Sequence, residues 1–77
     1  MSSNPDLKCI FRSGISFTVH PMMVNRVLTL TVKRMFSRMD KLDLKFEDIV
    51  NIIDQNGIEY KFVLNIHTIT FERKESK

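Results

Sequence analysis

Residues 49–71 of the chain read IVNIIDQNGIEYKFVLNIHTITF, and this stretch decides the class of fold. Two apolar runs flank Asn56-Gly57. An Asn-Gly pair between β-branched residues is a strong hairpin signal, because glycine adopts positive φ without steric cost. From Ile58 to Leu64, apolar residues alternate with others at the period of a strand that buries one face. The stretch therefore predicts an antiparallel hairpin with its turn at Asn56-Gly57.

The apolar positions change phase towards the end of this stretch. Tyr60 and Phe62 occupy one phase of the alternation, whereas Ile69 and Phe71 occupy the other. A single straight strand would turn one of these sets to solvent. We therefore expect a bulge or a bend near residues 65–67, as occurs at the corners of small barrels.

The amino-terminal part of the chain shows the same alternation. Residues 7–11 and 15–19 each carry apolar side chains at every second position, and Ser13-Gly14 lies between them. Two short alternating runs that are joined by turn-forming residues predict another tight hairpin or sharp bend. Pro21 should end the second run, because proline has no N–H to donate to a neighbouring strand.

Two segments carry both helical and strand periodicity. Residues 22–39 have apolar side chains at helical spacing, but residues 27–34 are rich in β-branched residues and alternate cleanly, which favours a strand. Residues 42–46 alternate like the start of another strand. Residues 46–56 fit either a helix that stops at Gly57 or a strand that leads into the turn. The isoleucine and valine residues in this last segment favour the strand.

These patterns together predict an all-β fold, a small bent sheet or barrel of five to six short antiparallel strands. The alternative is an α+β fold with a helix at about residues 46–56. The 77 residues have room for a single domain, 1–77, in which residues 1–6 and 74–77 have the polar composition of flexible ends. A domain of this size buries only roughly 60% of its unfolded surface, so we expect self-association to stabilise it.

The composition limits the location of the protein. No apolar run reaches the roughly 20 residues that span a bilayer, and the first residues lack the basic and apolar regions of a signal peptide. Cys9 is the only cysteine, so the chain cannot form an internal disulfide, and a lone cysteine fits a reducing compartment. These features predict a cytoplasmic protein that has no membrane partner.

The sequence contains no recognisable catalytic or metal-binding pattern. Cys9, His20 and His67 are the soft or imidazole ligands, and they do not form the close pairs that are typical of a structural zinc site. Cys9 also shares the apolar phase of its run, where a free thiol behaves as a small hydrophobic group. Both glycines, Gly14 and Gly57, lie in turn signals, which leaves no glycine-rich phosphate loop. We therefore predict no enzymatic activity, no metal and no cofactor.

One segment combines basic and apolar side chains. Met35, Phe36 and Met39 lie beside Arg34 and Arg38. Methionine, aromatic residues and arginine are enriched at protein interfaces. An equally weighted alternative is that the apolar members face the core. The interface hypothesis predicts a non-catalytic interaction module, either a small homo-oligomer or a regulatory domain that binds another protein.

The same segment supports an alternative function. Its basic residues fall within thirteen positions: Lys33, Arg34, Arg38, Lys41 and Lys45. If the fold brings them together, they form a patch that contacts the phosphates of RNA or DNA. Against this, most phenylalanines fall in the apolar phases of their strands, which favours a core over a platform for base stacking. The net charge of +3 is also mild. The alternative is thus a small β-barrel that binds nucleic acid.

Overall fold

A computed structural model describes residues 4–74 of the chain. Within that range, seven strands and one α-helix follow one another: β1 Leu7–Phe11, β2 Ser16–Val19, β3 Met22–Val24, β4 Val27–Thr31, α1 Val32–Lys41, β5 Ile49–Ile53, β6 Tyr60–Leu64 and β7 Thr68–Arg73. The prediction of a small, mostly β fold is confirmed, with seven strands in place of five to six. An α+β description also fits, because α1 is present.

The strands form two antiparallel sheets. The first has the order β2-β1-β5, and the second has the order β3-β4-β7-β6. Among the described residues the sheets do not close into a barrel, since β5 and β6 are joined only by the isolated bridge between Ile53 and Glu59.

β1 and β2 form the hairpin that the sequence predicts around Ser13-Gly14. Cys9 lies opposite Phe17 across this pair. Gly14 has a φ of 95°, a conformation that glycine adopts without penalty. β1 is the central strand of its sheet because its other edge pairs with β5.

The turn at Asn56-Gly57 is present, but the ladder predicted to follow it is not. The carboxylate of Asp54 accepts hydrogen bonds from the amides of Asn56 and Ile58 at 2.8 and 3.0 Å and from the hydroxyl of Tyr60 at 3.1 Å. These bonds hold the turn closed without a ladder. β5 then runs beside β1 while β6 runs beside β7, so the pairing of a simple hairpin is replaced by a connection between sheets.

Asp54 is a buried carboxylate at the start of this turn. Burial acts to raise the pKa of its carboxyl, but the amides of Ile58 and Asn56, the Tyr60 hydroxyl and the charge of Arg73 outweigh burial and hold the pKa below its usual value. Burial and the same hydrogen bond raise the pKa of Tyr60. The turn is therefore built around an ionised carboxylate at neutral pH.

The strand predicted at residues 27–34 ends early and gives way to a helix. β4 stops at Thr31, whose hydroxyl accepts a hydrogen bond from the Arg34 amide at 3.3 Å and caps α1. A threonine in this position satisfies an N–H of the first helical turn that has no partner within the helix. The helical spacing of residues 22–39 is realised only from Val32 onward, because the upstream part pairs in β3 and β4.

Residues 42–46 do not form the predicted strand, and residues 46–56 do not form the alternative helix. α1 ends at Lys41, after which the amides of Leu42 and Leu44 both donate to the carbonyl of Met39, at 3.1 and 2.9 Å. Such bonds satisfy carbonyls of the last helical turn that have no other partner. A single 3₁₀ turn, Phe46–Asp48, then leads into β5.

The phase change near residues 65–67 marks a turn between two strands rather than a bulge within one. The amide of Asn65 donates to the carbonyl of Thr68 at 2.8 Å. β6 and β7 then pair antiparallel with Phe62 opposite Phe71. Side chains of directly opposed residues lie on the same face of a sheet, so both phases reach the same core.

The core lies between the inner faces of the two sheets, and α1 covers part of it. Its fully buried members come from both sheets and from the helix: Leu7, Cys9, Phe11, Met35, Met39, Ile52 and Ile69. Met35 and Met39 are one helical turn apart, so a single stripe of α1 faces inward. Complete burial of a methionine side chain contributes about 2 kcal/mol to folding.

The described parts of the chain ends make contacts. The side-chain amide of Asn4 donates to the carbonyl of Pro21 at 3.4 Å, and Asp6 Oδ1 lies 2.8 Å from His20 Nδ1. The predicted flexibility of residues 1–3 and 75–77 lies outside the described residues. Across residues 4–74, no helix is both long and apolar enough to cross a membrane.

Candidate functional site

The structure divides the predicted interface residues between the core and the surface. Met35 is 1% exposed and Met39 is 0% exposed, so the interface prediction is corrected for these two residues, which pack in the core. Phe36 is 52% exposed, and Arg34 and Arg38 also lie at the surface. Helical geometry is the reason, since each residue is rotated by about 100° from the one before it.

Phe36 is the first of three phenylalanines whose rings are in contact. Its ring meets Phe46 edge-on, with centroids 5.2 Å apart, and the ring of Phe46 lies 5.8 Å from that of Phe62. Tilted and edge-to-face arrangements at these distances are favourable for aromatic pairs. The three rings come from α1, from the 3₁₀ turn that leads into β5 and from β6.

We call the apolar side chains along the opening between β5 and β6 the apolar seam: Phe36, Phe46, Ile49, Val50, Phe62 and Leu64. Three of them, Ile49, Val50 and Phe62, line a cavity of about 180 Å³ between β5 and β6. Val50 is 53% exposed and Leu64 is 48% exposed. Leu64 lies two residues after Phe62 and thus on the same face of β6. Grouped exposed apolar side chains of this kind mark interaction sites.

The free edge of β6 also faces the seam. The Asn65 amide donates to Thr68, so the backbone of Asn65 points towards β7. Backbone groups in an antiparallel pair alternate in direction along the strand. The N–H and C=O groups of Phe62 and Leu64 therefore point away from β7 and towards the opening, where another strand can pair with them.

On the edge of β5 that faces β6, one backbone N–H is hydrogen-bonded to a side chain of the same strand. The amide of Asp54 donates to the carbonyl of Ile58 across the opening, at 3.0 Å. By the same alternation the amide of Ile52 faces the opening, and it donates to Oδ1 of Asn51 at 3.0 Å. Because the Ile52 amide of β5 already has a partner within its own strand, β6 is the edge with more free backbone groups for pairing with another strand.

The fold does not bring the predicted nucleic-acid contacts to one surface. At about 100° per residue, Arg34, Arg38 and Lys41 lie within about 60° of one another around α1, whereas Lys33 is rotated by about 80–100° from Lys41 and Arg34, towards Phe36. The remaining residue, Lys45, lies in the connection after the helix rather than on it. We call the set Arg34, Arg38 and Lys41 the basic flank.

Arg38 shows which strand the basic flank faces. Its Nη1 atom donates to the carbonyl of Thr18 in β2 at 3.1 Å. Its Cζ atom lies 4.8 Å from the centroid of the Phe17 ring, in cation–π geometry. These contacts place the basic flank against β2, on the side of α1 away from the apolar seam.

A second cavity, of about 230 Å³, lies between the basic flank and the sheets. It is lined by two apolar and four polar residues: Val19, Leu30, His20, Arg34, Ser37 and Arg38. None of these lining side chains is a carboxylate. His20 Nδ1 is hydrogen-bonded to the carboxylate of Asp6, and both side chains of that pair are exposed to solvent.

The thiol and imidazole groups lie in separate environments. Cys9 is 0% exposed, and burial raises the pKa of its thiol to about 12 despite the opposing charge of Arg38. A thiol with such a pKa carries no thiolate at neutral pH and is a poor nucleophile. His67 lies in the β6–β7 turn, and its carbonyl accepts a hydrogen bond from the Val32 amide at 3.0 Å. Within residues 4–74, no group of three or more His, Cys, Asp or Glu residues is placed to hold a metal ion.

Comparison of the chain with models of known protein families, with curated proteins and with solved structures finds no match. Function is therefore inferred from the apolar seam and the basic flank.

Sequence reasoning assigned Phe46 and Phe62 to the core, and both pack against it but remain partly exposed. Phe11, Phe17 and Phe71 are buried as expected. The exposure of Val50 and Leu64 beside them was not anticipated.

Proposed function

We propose that this protein is a non-catalytic interaction module that forms a homo-oligomer through the apolar seam. The observation that carries the proposal is the stack of Phe36, Phe46 and Phe62, which ends in an exposed ring beside an open strand edge. Exposure of the Phe36 ring, which contacts Phe46 on one side only, has no benefit for an isolated domain, and a partner that covers it removes apolar surface from water.

A symmetric pairing of β6 with β6 of a second copy of the chain supports that copy as the partner at the apolar seam. If β6 pairs antiparallel with β6 of another copy about a two-fold axis at Val63, Phe62 of each copy lies opposite Leu64 of the other. Both residues have backbone groups that face the opening, so they form four hydrogen bonds between the copies. In this register Lys61 lies opposite Asn65, and no like charges meet.

The size of the domain also supports self-association. The described core is small, and the only cysteine is buried and free. Small folds without disulfides or metals are commonly stabilised by oligomerisation. Pairing through β6 would extend the second sheet from four strands to eight and bury Leu64, Val63 and the ring of Phe36.

The regulatory role and the cytoplasmic location belong to the same proposal. A single cysteine with a buried, protonated thiol is compatible with a reducing compartment. A small homo-oligomer with a β-sheet that runs through both copies is a suitable scaffold for presenting two identical surfaces to a further protein.

Analytical ultracentrifugation tests the proposal. Wild type should sediment as a dimer at micromolar concentration, and Leu64→Lys should shift it to a monomer because the new charge lies in the seam. Met22→Lys is the matched control: Met22 is 65% exposed on β3, at the other edge of the same sheet, and its replacement should leave the dimer intact. Circular dichroism should show that both variants fold.

Two results would overturn the proposal. One is a wild-type protein that remains monomeric throughout the concentration range. The other is an equal loss of association in Leu64→Lys and Met22→Lys, which would indicate general charge repulsion rather than a contact at the seam.

A further inference from the structure

The cavity between α1 and β2 carries chemistry that self-association does not use. The guanidinium groups of Arg34 and Arg38, one helical turn apart, border it together with the hydroxyl-bearing Ser37. Val19 and Leu30 form its apolar wall. The cavity lies on the opposite flank of α1 from Phe36, so a ligand there does not compete with a partner at the seam.

Arg38 is held in place before any ligand arrives. One of its N–H groups donates to the Thr18 carbonyl at 3.1 Å, and its guanidinium lies over the Phe17 ring. A guanidinium has five N–H donors, so four remain available. Because the side chain is already ordered, binding an anion costs less conformational entropy than it would for a free arginine.

Among residues 4–74, neither Arg34 nor Arg38 has a carboxylate partner in a salt bridge. The salt bridges described there join Lys61 to Glu72, Lys74 to Glu59 and His20 to Asp6. Arg34 and Arg38 take part in none of these pairs. Like charges four residues apart on a helix repel each other, and an anion between them removes that repulsion.

We propose that this cavity binds a phosphate-class oxyanion, which is either a phosphomonoester or a phosphodiester. Arg34 and Arg38 contact its oxygens, and the hydroxyl of Ser37 donates a further hydrogen bond. The planar guanidinium fork matches the geometry of phosphate oxygens. A volume of about 230 Å³ is several times what one water molecule needs, which is room for a phosphate group with some of its water.

Titration of the full-length protein with inorganic phosphate, followed by amide chemical shifts in NMR spectra, tests the site. We expect saturable shifts that centre on Val19, Ser37 and Arg38. Arg34→Gln should weaken binding about tenfold, because hydrogen bonds to charged groups are the strong ones. Lys33→Gln removes the same charge from a position of α1 that does not line the cavity and should change the affinity by less than about twofold.

Equal losses in Arg34→Gln and Lys33→Gln would overturn the site, since they would show diffuse attraction to a basic helix. Shifts that never saturate, or that spread evenly along α1, would overturn it as well. Arg38 is left unchanged in this comparison because its contact with Phe17 also stabilises the fold.

Two further ligands distinguish the source of the phosphate. If a short single-stranded oligonucleotide displaces inorganic phosphate, with an affinity that falls steeply with salt, the site accepts a phosphodiester backbone. If O-phosphoserine displaces it and the oligonucleotide does not, the site takes a phosphomonoester. Failure of both ligands to displace phosphate would overturn the assignment to this class.

Discussion

Met39 offers a direct way to separate the core role of α1 from an interface role. Its side chain is 0% exposed and lies one turn after Met35 on the inward stripe of the helix. Met39→Ala removes three heavy atoms beyond Cβ from the core. At about 0.8 kcal/mol for each buried group, the lost transfer free energy is about 2 kcal/mol.

The cavity left by Met39→Ala adds to this cost. Large-to-small substitutions in protein cores reach 2–5 kcal/mol when the surroundings relax only partly, so we expect a total loss of about 3 kcal/mol. A domain of this length has a free energy of unfolding of about 4–12 kcal/mol. The substitution should therefore lower the melting temperature by at least about 12 °C.

Urea denaturation measures this loss, at a protein concentration low enough for the monomer to dominate, because association stabilises the fold by mass action. Met39→Leu, which nearly conserves the volume, should cost less than about 1.5 kcal/mol. Phe36→Ala, at a site that is 52% exposed, should cost about 1 kcal/mol and should weaken dimerisation instead. If Met39→Ala abolished association while costing no more stability than Phe36→Ala, the division between core and interface would be refuted.

Two other predictions concern pH and backbone strain. Burial raises the pKa of Cys9 from 9.0 to about 12, so the unfolded chain loses this proton first. The stability that Cys9 contributes is fully present below pH 9 and falls by about 1.4 kcal/mol per unit of pH above it. Urea titrations at about pH 8 and about pH 10 should show this fall in wild type and a smaller one in Cys9→Ala; equal falls in the two proteins would contradict it. The turn between β3 and β4 has φ values of 52° at Asn25 and 68° at Arg26, the conformation of a type I′ turn. Arg26→Gly should relieve the backbone strain at this positive φ and raise the free energy of unfolding, measured in urea, by about 1 kcal/mol. A variant less stable than wild type would show that Arg26 is not strained.

The hairpin of β1 and β2 was predictable from sequence because local and tertiary signals agree there. Both runs alternate, and Gly14 lies where the turn requires a positive φ, so both signals predict a hairpin. The start of α1 was not predictable in the same way. The β-branched run that contains Thr29 and Thr31 continues into Val32, so strand propensity extends past the point where β4 ends and α1 begins. Only Thr31, as the N-cap of α1, indicates this boundary.

The seam could not be predicted because it depends on which strands pair. Local sequence favours pairing of β5 with β6 through Asn56-Gly57, whereas the fold pairs β5 with β1 and β6 with β7. The exposure of Leu64 and the partial burial of Phe62 follow from that choice. Likewise, the five basic residues are close in sequence, but helical rotation sends Lys33 to a different flank from Arg34.

Disulfide trapping at Val63 tests the proposed dimer most directly. Val63 is 43% exposed on β6, and in the proposed register its Cα atoms in the two copies lie about 4.5 Å apart, within the range that a disulfide spans. The native Cys9 is buried and should not react. Under mild oxidation, Val63→Cys should convert rapidly and almost completely to a covalent dimer, while Met22→Cys on the far edge of the sheet should not. Equal, slow cross-linking of the two variants would contradict pairing of the chains through β6.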